Sequence, residues 1–305
     1  MRLAVLIVSY NTRQLTLDCL ASVREHEPDA RIIVVDNGST DGSIEAIEGR
    51  FPRVRLIVSD ENLGFARANN LAYRGLLADE ADLPQYVCLL NSDTVLSDAA
   101  LSACCDRMDE AFWLGAVSPR LFGTDGHEQR AAHRFPTCRA MLAHALRRQP
   151  NPRPGQRPPH YLAGTCLTLR RQAIEQVGGL FDPRLWFYWE DAELGSRLLH
   201  AGWQVEVLRH AKITHYGGAS GGGPDAQRRP DLHAWYTFGR HYWFSHHRPR
   251  WESLAVWGLD AADTVRMTLR GLVRSSRRHE IAQARQVARV LMQRATGRHP
   301  APLGS

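Results

Sequence analysis

Four short stretches in the first hundred residues are mainly apolar, and each gives way abruptly to small polar residues. Leu3-Ala4-Val5-Leu6-Ile7-Val8 runs into Ser9-Tyr10-Asn11, and Arg31-Ile32-Ile33-Val34-Val35 into Asp36-Asn37-Gly38-Ser39-Thr40-Asp41-Gly42-Ser43. Val54-Arg55-Leu56-Ile57-Val58 runs into Ser59-Asp60-Glu61-Asn62-Leu63-Gly64, and Tyr86-Val87-Cys88-Leu89-Leu90 into Asn91-Ser92-Asp93. The run Tyr86 to Leu90 reads as a short strand covered on both faces, Leu3 to Val8 as another buried strand, and the other two as strands of the same kind of sheet. Between them the spacing predicts helices. Thr12 is positioned to cap one with the stripe Leu15, Cys19, Leu20 and Val23, and another runs from the Gly64 turn to about Leu77. Strands alternating with helices predict an α/β fold with a mostly parallel sheet wound by right-handed crossovers. All four polar turns then share one edge, where open α/β sheets collect ligands.

The pattern changes further on. Pro150, Pro152, Pro154, Pro158 and Pro159 mark an exposed loop between two halves, and Tyr161 to Leu169 reads as one strand of the second half. Glu190-Asp191-Ala192-Glu193 opens a helix, a place that acidic residues favour through the helix dipole. The run from Gly217 to Pro224 is either a plain linker or a lid. Toward the end, Leu254, Trp257, Ala261, Val265, Leu269 and Leu272 recur at helical spacing beside a row of Arg266, Arg270, Arg274 and Arg278. Two readings of that helix stay open: a membrane-surface element, or a helix packed on the rest of the chain with a solvated arginine face.

Charge sharpens this picture. The 305 residues carry a net +6. Eleven arginines between Arg248 and Arg298 face only Glu252, Asp260, Asp263 and Glu280, so the tail holds the excess. No nucleic-acid module accompanies it, so no nucleic-acid partner is expected. Apolar content of 44% and charged content of 23% are those of a globular protein. No apolar run approaches the roughly 18 residues of a membrane span. Leu3 to Val8 is too short for a signal-peptide core. The expected location is therefore cytoplasmic, with peripheral attachment to the inner face of the cytoplasmic membrane if the tail binds lipid. Six cysteines show no Cys-x-x-Cys pair or metal spacing and read as reduced and buried.

The shared edge lacks the usual phosphate clamps. Ser9-Tyr10-Asn11-Thr12-Arg13 holds no glycine, and no Gly-x-x-x-x-Gly-Lys-Ser/Thr loop occurs. A phosphate bound here needs positive charge from elsewhere. A divalent cation on Asp93 would supply it, since Mg²⁺ and Mn²⁺ favour oxygen ligands and substrate phosphates. Asp36 is left to accept hydrogen bonds from a base or ribose.

Taken in order and spacing, these motifs resemble glycosyltransferase family 2, the inverting enzymes of GT-A fold. The matching pieces are Val8-Ser9-Tyr10-Asn11, the stretch Val34 to Ser43, Glu61-Asn62-Leu63-Gly64-Phe65-Ala66-Arg67-Ala68-Asn69-Asn70, Asn91-Ser92-Asp93, Gly178-Gly179-Leu180-Phe181-Asp182 and Trp189-Glu190-Asp191-Ala192-Glu193-Leu194. The similarity spans roughly residues 2–245, and the Asn62 to Ala66 stretch looks most like the rhamnosyltransferase branch. The resemblance implies a Rossmann-like nucleotide-binding sheet, a mixed acceptor-binding half and a C-terminal helical extension. The expected division is 1–247 for the catalytic domain (halves 1–115 and 116–247) and 248–305 for the basic tail.

It also implies roles. Ser9, Tyr10, Asn11, Asp36, Asn62, Gly64, Asn69, Asn91 and Ser92 would line the nucleotide-sugar pocket, with Asp36 toward a pyrimidine base. Asp93 matches the last carboxylate of the family's Asp-x-Asp metal motif, while Asn91 replaces the first with an amide. His215 looks like the late histidine that completes an Mg²⁺ or Mn²⁺ site. Asp191 matches the general base and Glu190 its neighbour. The implied reaction moves a sugar, for instance L-rhamnose from dTDP-rhamnose, to a hydroxyl of a growing cell-surface glycan or lipid-linked acceptor. The alternatives are a sugar nucleotidyltransferase, disfavoured by the missing Gly-rich loop, and a non-catalytic nucleotide-sugar-binding scaffold, which Asn91 keeps open.

Overall fold

The computed structural model describes residues 2–78, 83–145, 159–217, 230–273 and 278–295. Contacts divide the chain into two compact units, one of Met1–Arg134, Pro158–Leu185 and Glu190–Gly223, the other of Phe135–Arg157, Trp186–Trp189 and Pro224–Ser305.

In the first unit the elements are β1 (Leu3–Ser9), α1 (Arg13–His26), β2 (Arg31–Asp36), α2 (Ser43–Arg50), β3 (Arg55–Val58), α3 (Gly64–Leu77), β4 (Tyr86–Asn91), β5 (Thr94–Leu96), α4 (Ala100–Glu110), β6 (Leu114–Phe122), β7 (Glu128–Gln129) and β8 (Ala132–His133). After α5 (Cys138–Ala145), which belongs to the second unit, come β9 (Tyr161–Leu162), β10 (Cys166–Arg170), α6 (Arg171–Gln176), α7 (Glu190–His200) and β11 (Gln204–His215). The main sheet runs β3-β2-β1-β4-β10-β6-β11-β5 with β7 on β6, and β8 pairs β9 separately.

The four strands expected to be parallel are parallel. Their register builds the binding edge. Ser9 pairs Asp36, Val8 pairs Asn91 and Asp36 pairs Val58, so all four strands end level and deliver their turns to one side of the sheet. Apolar side chains on both faces fix that register, because a slip of one residue would turn every side chain over. Val5, Leu6, Ile7, Val34 and Leu89 are fully buried, each contributing about 1.5–3 kcal/mol by transfer from water.

Three local expectations differ from the structure. The Tyr161–Leu169 run is two strands in two sheets, broken at Ala163-Gly164-Thr165, because Ala163 N–H bonds to Ala131 O while Thr165 O accepts from Asn91 N–H. Thr12 does not cap α1 with its side chain. Its hydroxyl lies 3.1 Å from those of Thr16 and Ser92, and Asp41 instead accepts the Arg13 N–H at 2.9 Å. Leu15 is only half-buried, the inward face of α1 being Thr16, Leu17, Cys19, Leu20, Ser22 and Val23. Strand β5, three residues long, gave too short a pattern to read.

The second unit holds α8 (Pro230–His247), α9 (Arg250–Val273) and α10 (Arg278–Ala295) around Trp235, Phe238, Trp243, Phe244, Val256, Val287 and Val290. Trp189 packs on Trp243 with ring centroids 5.9 Å apart. Gly239 permits the fit, since a Cβ there would come within 2.9 Å of the Trp189 side chain. Helix α9 turns Glu252, Val256, Asp260, Met267 and Gly271 inward. The stripe read from the sequence is not packed inward: Leu254, Trp257, Val265, Leu269 and Leu272 are exposed. All six cysteines are free and buried, as expected. The 146–158 and 218–229 segments, which include most of the proline-rich loop and of the glycine-rich run, lie outside the described residues.

Candidate active site

The tightest feature of the shared edge is the turn after β4. Asp93 is buried, and neither carboxylate oxygen has a hydrogen-bond partner. Strand β5 follows at once and pairs antiparallel with the end of β11, setting His215 opposite Thr94. Tyr216 N–H then bonds to Asp93 O at 2.9 Å. As a result His215 Nε2 lies 3.3 Å from Asp93 Oδ1.

Which His215 nitrogen carries a proton follows from Gln129 on β7. The Gln129 amide donates to His215 O at 3.1 Å, which turns its Oε1 toward His215 Nδ1 at 2.6 Å. An amide oxygen only accepts, so Nδ1 must donate. In neutral histidine Nε2 then presents a lone pair to a buried, partnerless carboxylate. Two acceptors facing each other in a site shielded from water repel unless a proton or a cation lies between them. An oxygen and a nitrogen donor with a hydrogen-bonded outer partner suit a divalent cation. Among the described residues no cluster of three or more His, Cys, Asp or Glu side chains could hold a metal ion, so further ligands would come from substrate phosphate and water.

The other expected donor-side residues divide in two. Asp36 is buried, with Oδ1 accepting from Ser39 N–H at 2.8 Å and Oδ2 partnerless. It keeps a free acceptor at the edge. Asn11, with φ of 51°, accepts from Thr40 N–H through Oδ1 and donates its own N–H to Ser39 Oγ, holding the 38–43 loop. Asn62 Oδ1 accepts from Asn37 Nδ2 and from Gly64 N–H, shaping the turn into α3. Gly64 takes φ of 76°, a conformation in which a side chain is strained. Ser9 and Ser92 are buried in a chain of hydroxyls with Thr12 and Thr16, and Asn69 donates to Phe65 O inside α3. All three are buried and spend these hydrogen bonds inside the fold. Tyr10 and the Asn91 side chain are half-buried at the edge.

The acid pair opens α7. Tyr188 and Trp189 immediately before it take φ of 71° and 74°, two successive non-glycine residues in the left-handed region, a strain that folds tolerate at functional positions. Glu190 is buried with Oε2 partnerless. Burial raises its pKa, and the Asp191 charge adds to that. Burial also raises Asp191, opposed by backbone N–H groups of Ala192 and Gly164. Glu190 is raised the more, so the pair separates into a proton holder and a carboxylate, a division that assigns acid and base roles. Helix α7 reaches this place because Gly195 has no Cβ, which would otherwise lie 2.3 Å from that of Tyr161.

Asp93 and Asp191, 98 positions apart in the chain, are joined by a short relay. The Gly164 N–H meets Asp191, and Thr165 O accepts from Asn91 N–H at 2.9 Å, two residues before Asp93. Gln129, Gly164 and β5 escaped the sequence reading. Only Gly164 carried a local signal, as a glycine interrupting a strand.

Residues 4–178 match the profile of Glycosyl transferase family 2. The chain belongs to that family. It is also 31% identical over 272 residues to an N-acetylglucosaminyl-diphospho-decaprenol L-rhamnosyltransferase of Mycobacterium tuberculosis, covering 82% of this chain and 87% of the relative. Among solved structures, a mannosyltransferase from Pyrobaculum calidifontis in complex with GDP-Man and Mn²⁺ aligns with a TM-score of 0.54 at 14% identity, covering 96% of this chain and 87% of that one. GalNAc-T7 with UDP, GalNAc and Mn²⁺ aligns at 0.54 and 16% identity, over 80% and 48%. The fold is GT-A, and this family 2 chain is a glycosyltransferase.

Proposed function

We propose that this family 2 enzyme moves a sugar from a nucleoside diphosphate to a hydroxyl of a growing cell-surface glycan or lipid-linked acceptor, by one inverting displacement. L-Rhamnose is the sugar that the relative's name favours, and dTDP-rhamnose is the donor we assign to it. The observation that carries the reading is the buried Asp93 carboxylate, partnerless and faced by the His215 lone pair. Asp93 and His215 would hold Mg²⁺ or Mn²⁺, which supplies electrostatic stabilisation of the diphosphate leaving group.

The remaining work falls to side chains. Asp36 Oδ2 accepts from the base at the level edge of the sheet. Asp191, ionised beside a protonated Glu190, takes the proton of the attacking hydroxyl; a positioned base contributes about 10²–10⁴-fold. Glu190, protonated, keeps the pair at a single negative charge, so Asp191 stays ionised; a second carboxylate beside it would raise its pKa and favour the protonated form.

The test is product analysis with dTDP-rhamnose and a polyprenyl-diphosphate-linked N-acetylglucosamine acceptor. Nucleoside diphosphate and an inverted glycoside are expected from the wild type and not from Asp191→Asn. Release of pyrophosphate instead, or full activity in Asp191→Asn, overturns the proposal.

A further inference from the structure

The outward face of α9 takes no part in the proposed sugar transfer. Trp251, Leu254, Val265, Leu269, Leu272 and Val273 are 63, 71, 59, 58, 70 and 82% exposed. With Gly258 and Ala262 they form one stripe at helical spacing along a 24-residue helix, about 36 Å long at 1.5 Å per residue. No charged residue falls on it. Monomeric proteins rarely leave so long an apolar strip in water.

The charges around the stripe are biased. Of the four acids between Arg248 and Arg298, Glu252, Asp260 and Glu280 are buried. They lie 3.0, 2.5 and 3.2 Å from Arg248, Arg240 and Arg270. Asp263 pairs with Arg266 at 2.5 Å. Every acid of the segment is thus neutralised at home, while Arg250, Arg285 and Arg289 are exposed. The helical unit carries an apolar strip on α9 together with exposed arginines on α9 and α10 and no unneutralised acid in the segment.

We infer that α9 docks this strip into the surface of an anionic lipid bilayer. An apolar face with tryptophan and leucine and a basic polar side is the composition of helices that lie in the headgroup plane. With Glu252, Asp260, Asp263, Arg250, Arg266 and Arg270 in its length, α9 lies on a membrane and does not cross it. A second copy of the chain is disfavoured as occupant, because a two-fold interface would set two arginine-rich surfaces against each other, whereas anionic lipid neutralises them. Lipid docking of this kind is independent of which sugar is moved.

Co-sedimentation with vesicles tests it, using phosphatidylglycerol–phosphatidylcholine mixtures against phosphatidylcholine alone, at low and high salt. The full chain is expected to pellet with the anionic vesicles and to be partly released by salt. Leu254→Glu combined with Leu272→Glu should lower apparent lipid affinity by roughly a hundredfold or more, since burying a leucine is worth about tenfold or more. Circular dichroism and donor binding should stay unchanged, both sites being exposed. A wild type that stays in the supernatant with every lipid overturns the inference. So does a dimer, measured by light scattering, that the double variant dissolves without any vesicle binding.

Discussion

Buried acids occur in both units, and they are treated in opposite ways. Among the C-terminal helices, Glu252, Asp260 and Glu280 are each buried within 3.2 Å of an arginine. At the edge of the sheet, Asp36, Asp93 and Glu190 are equally buried, yet among the described residues none of them pairs with an arginine or lysine. Burial of a charge is costly unless it is paired. The helical acids are therefore architecture, each neutralised by its arginine. The sheet-edge acids are incomplete, and only a ligand, a cation or a proton completes them. Burial alone does not single out the sheet-edge carboxylates; burial without an arginine does.

Two substitutions press hardest on that contrast. Asp191→Asn should lower turnover by about 10²–10⁴-fold while donor affinity, measured by calorimetry, stays put. On the helical side, Asp260→Ala removes the carboxylate that pairs with Arg240 and His241. Removing one member of a buried pair costs about 3–5 kcal/mol, which urea denaturation would register. Asp93→Asn is the matched control. It removes a charge that has no cationic partner, so without metal or donor its stability should equal or exceed that of the wild type. If Asp93→Asn destabilises as much as Asp260→Ala, the two regions are not different in kind.

The next effect is smaller and concerns Gln129. Its amide fixes the His215 tautomer from both sides, and outer-shell partners of this type typically tune metal affinity by about 10–100-fold. Gln129→Leu should weaken Mn²⁺ binding by that factor, read by metal titration followed through tryptophan fluorescence, with the melting temperature little changed. Gln129→Glu should retain more affinity than Gln129→Leu, because a carboxylate still accepts from Nδ1. Equal losses in both variants would mean that Gln129 merely fills space.

How far the sequence foretold this depends on the kind of signal each part leaves. Strands β1, β2 and β4 were legible because apolar runs buried on both faces have no other stable home, and their polar ends announced the edge; β3, at the sheet's edge, is only half-buried. Asp36, Asp93, Asp191 and His215 could be named from motif and order. Strand β5 could not, since three residues carry no period. Nor could Gln129, because a glutamine on a two-residue strand looks like any surface residue until β7 pairs with β6. The α9 stripe was legible as amphipathic, but periodicity gives a face without saying what it faces. Only the packing of Glu252, Val256, Asp260 and Met267 inward shows that the apolar stripe points out.

The smallest effect is on stability as pH changes, and its sign separates the two regions once more. Burial raises Glu190 and Asp191 above their unfolded pKa values of about 4. The folded chain therefore holds more protons than the unfolded chain once pH passes that value. Stability contributed by the pair is present below about pH 4 and is lost as pH rises through the two raised pKa values. Without ligand, the melting temperature of the sheet unit should fall as pH rises through that window, and Glu190→Gln should flatten the decline by removing the more strongly raised group. The acid limb of the rate profile moves the other way: activity requires ionised Asp191 and should appear only above the ordinary carboxylate range. A melting temperature in Glu190→Gln that tracks the wild type across that window would mean that Glu190 is not held protonated, and the single-charge account of the acid pair would fall with it.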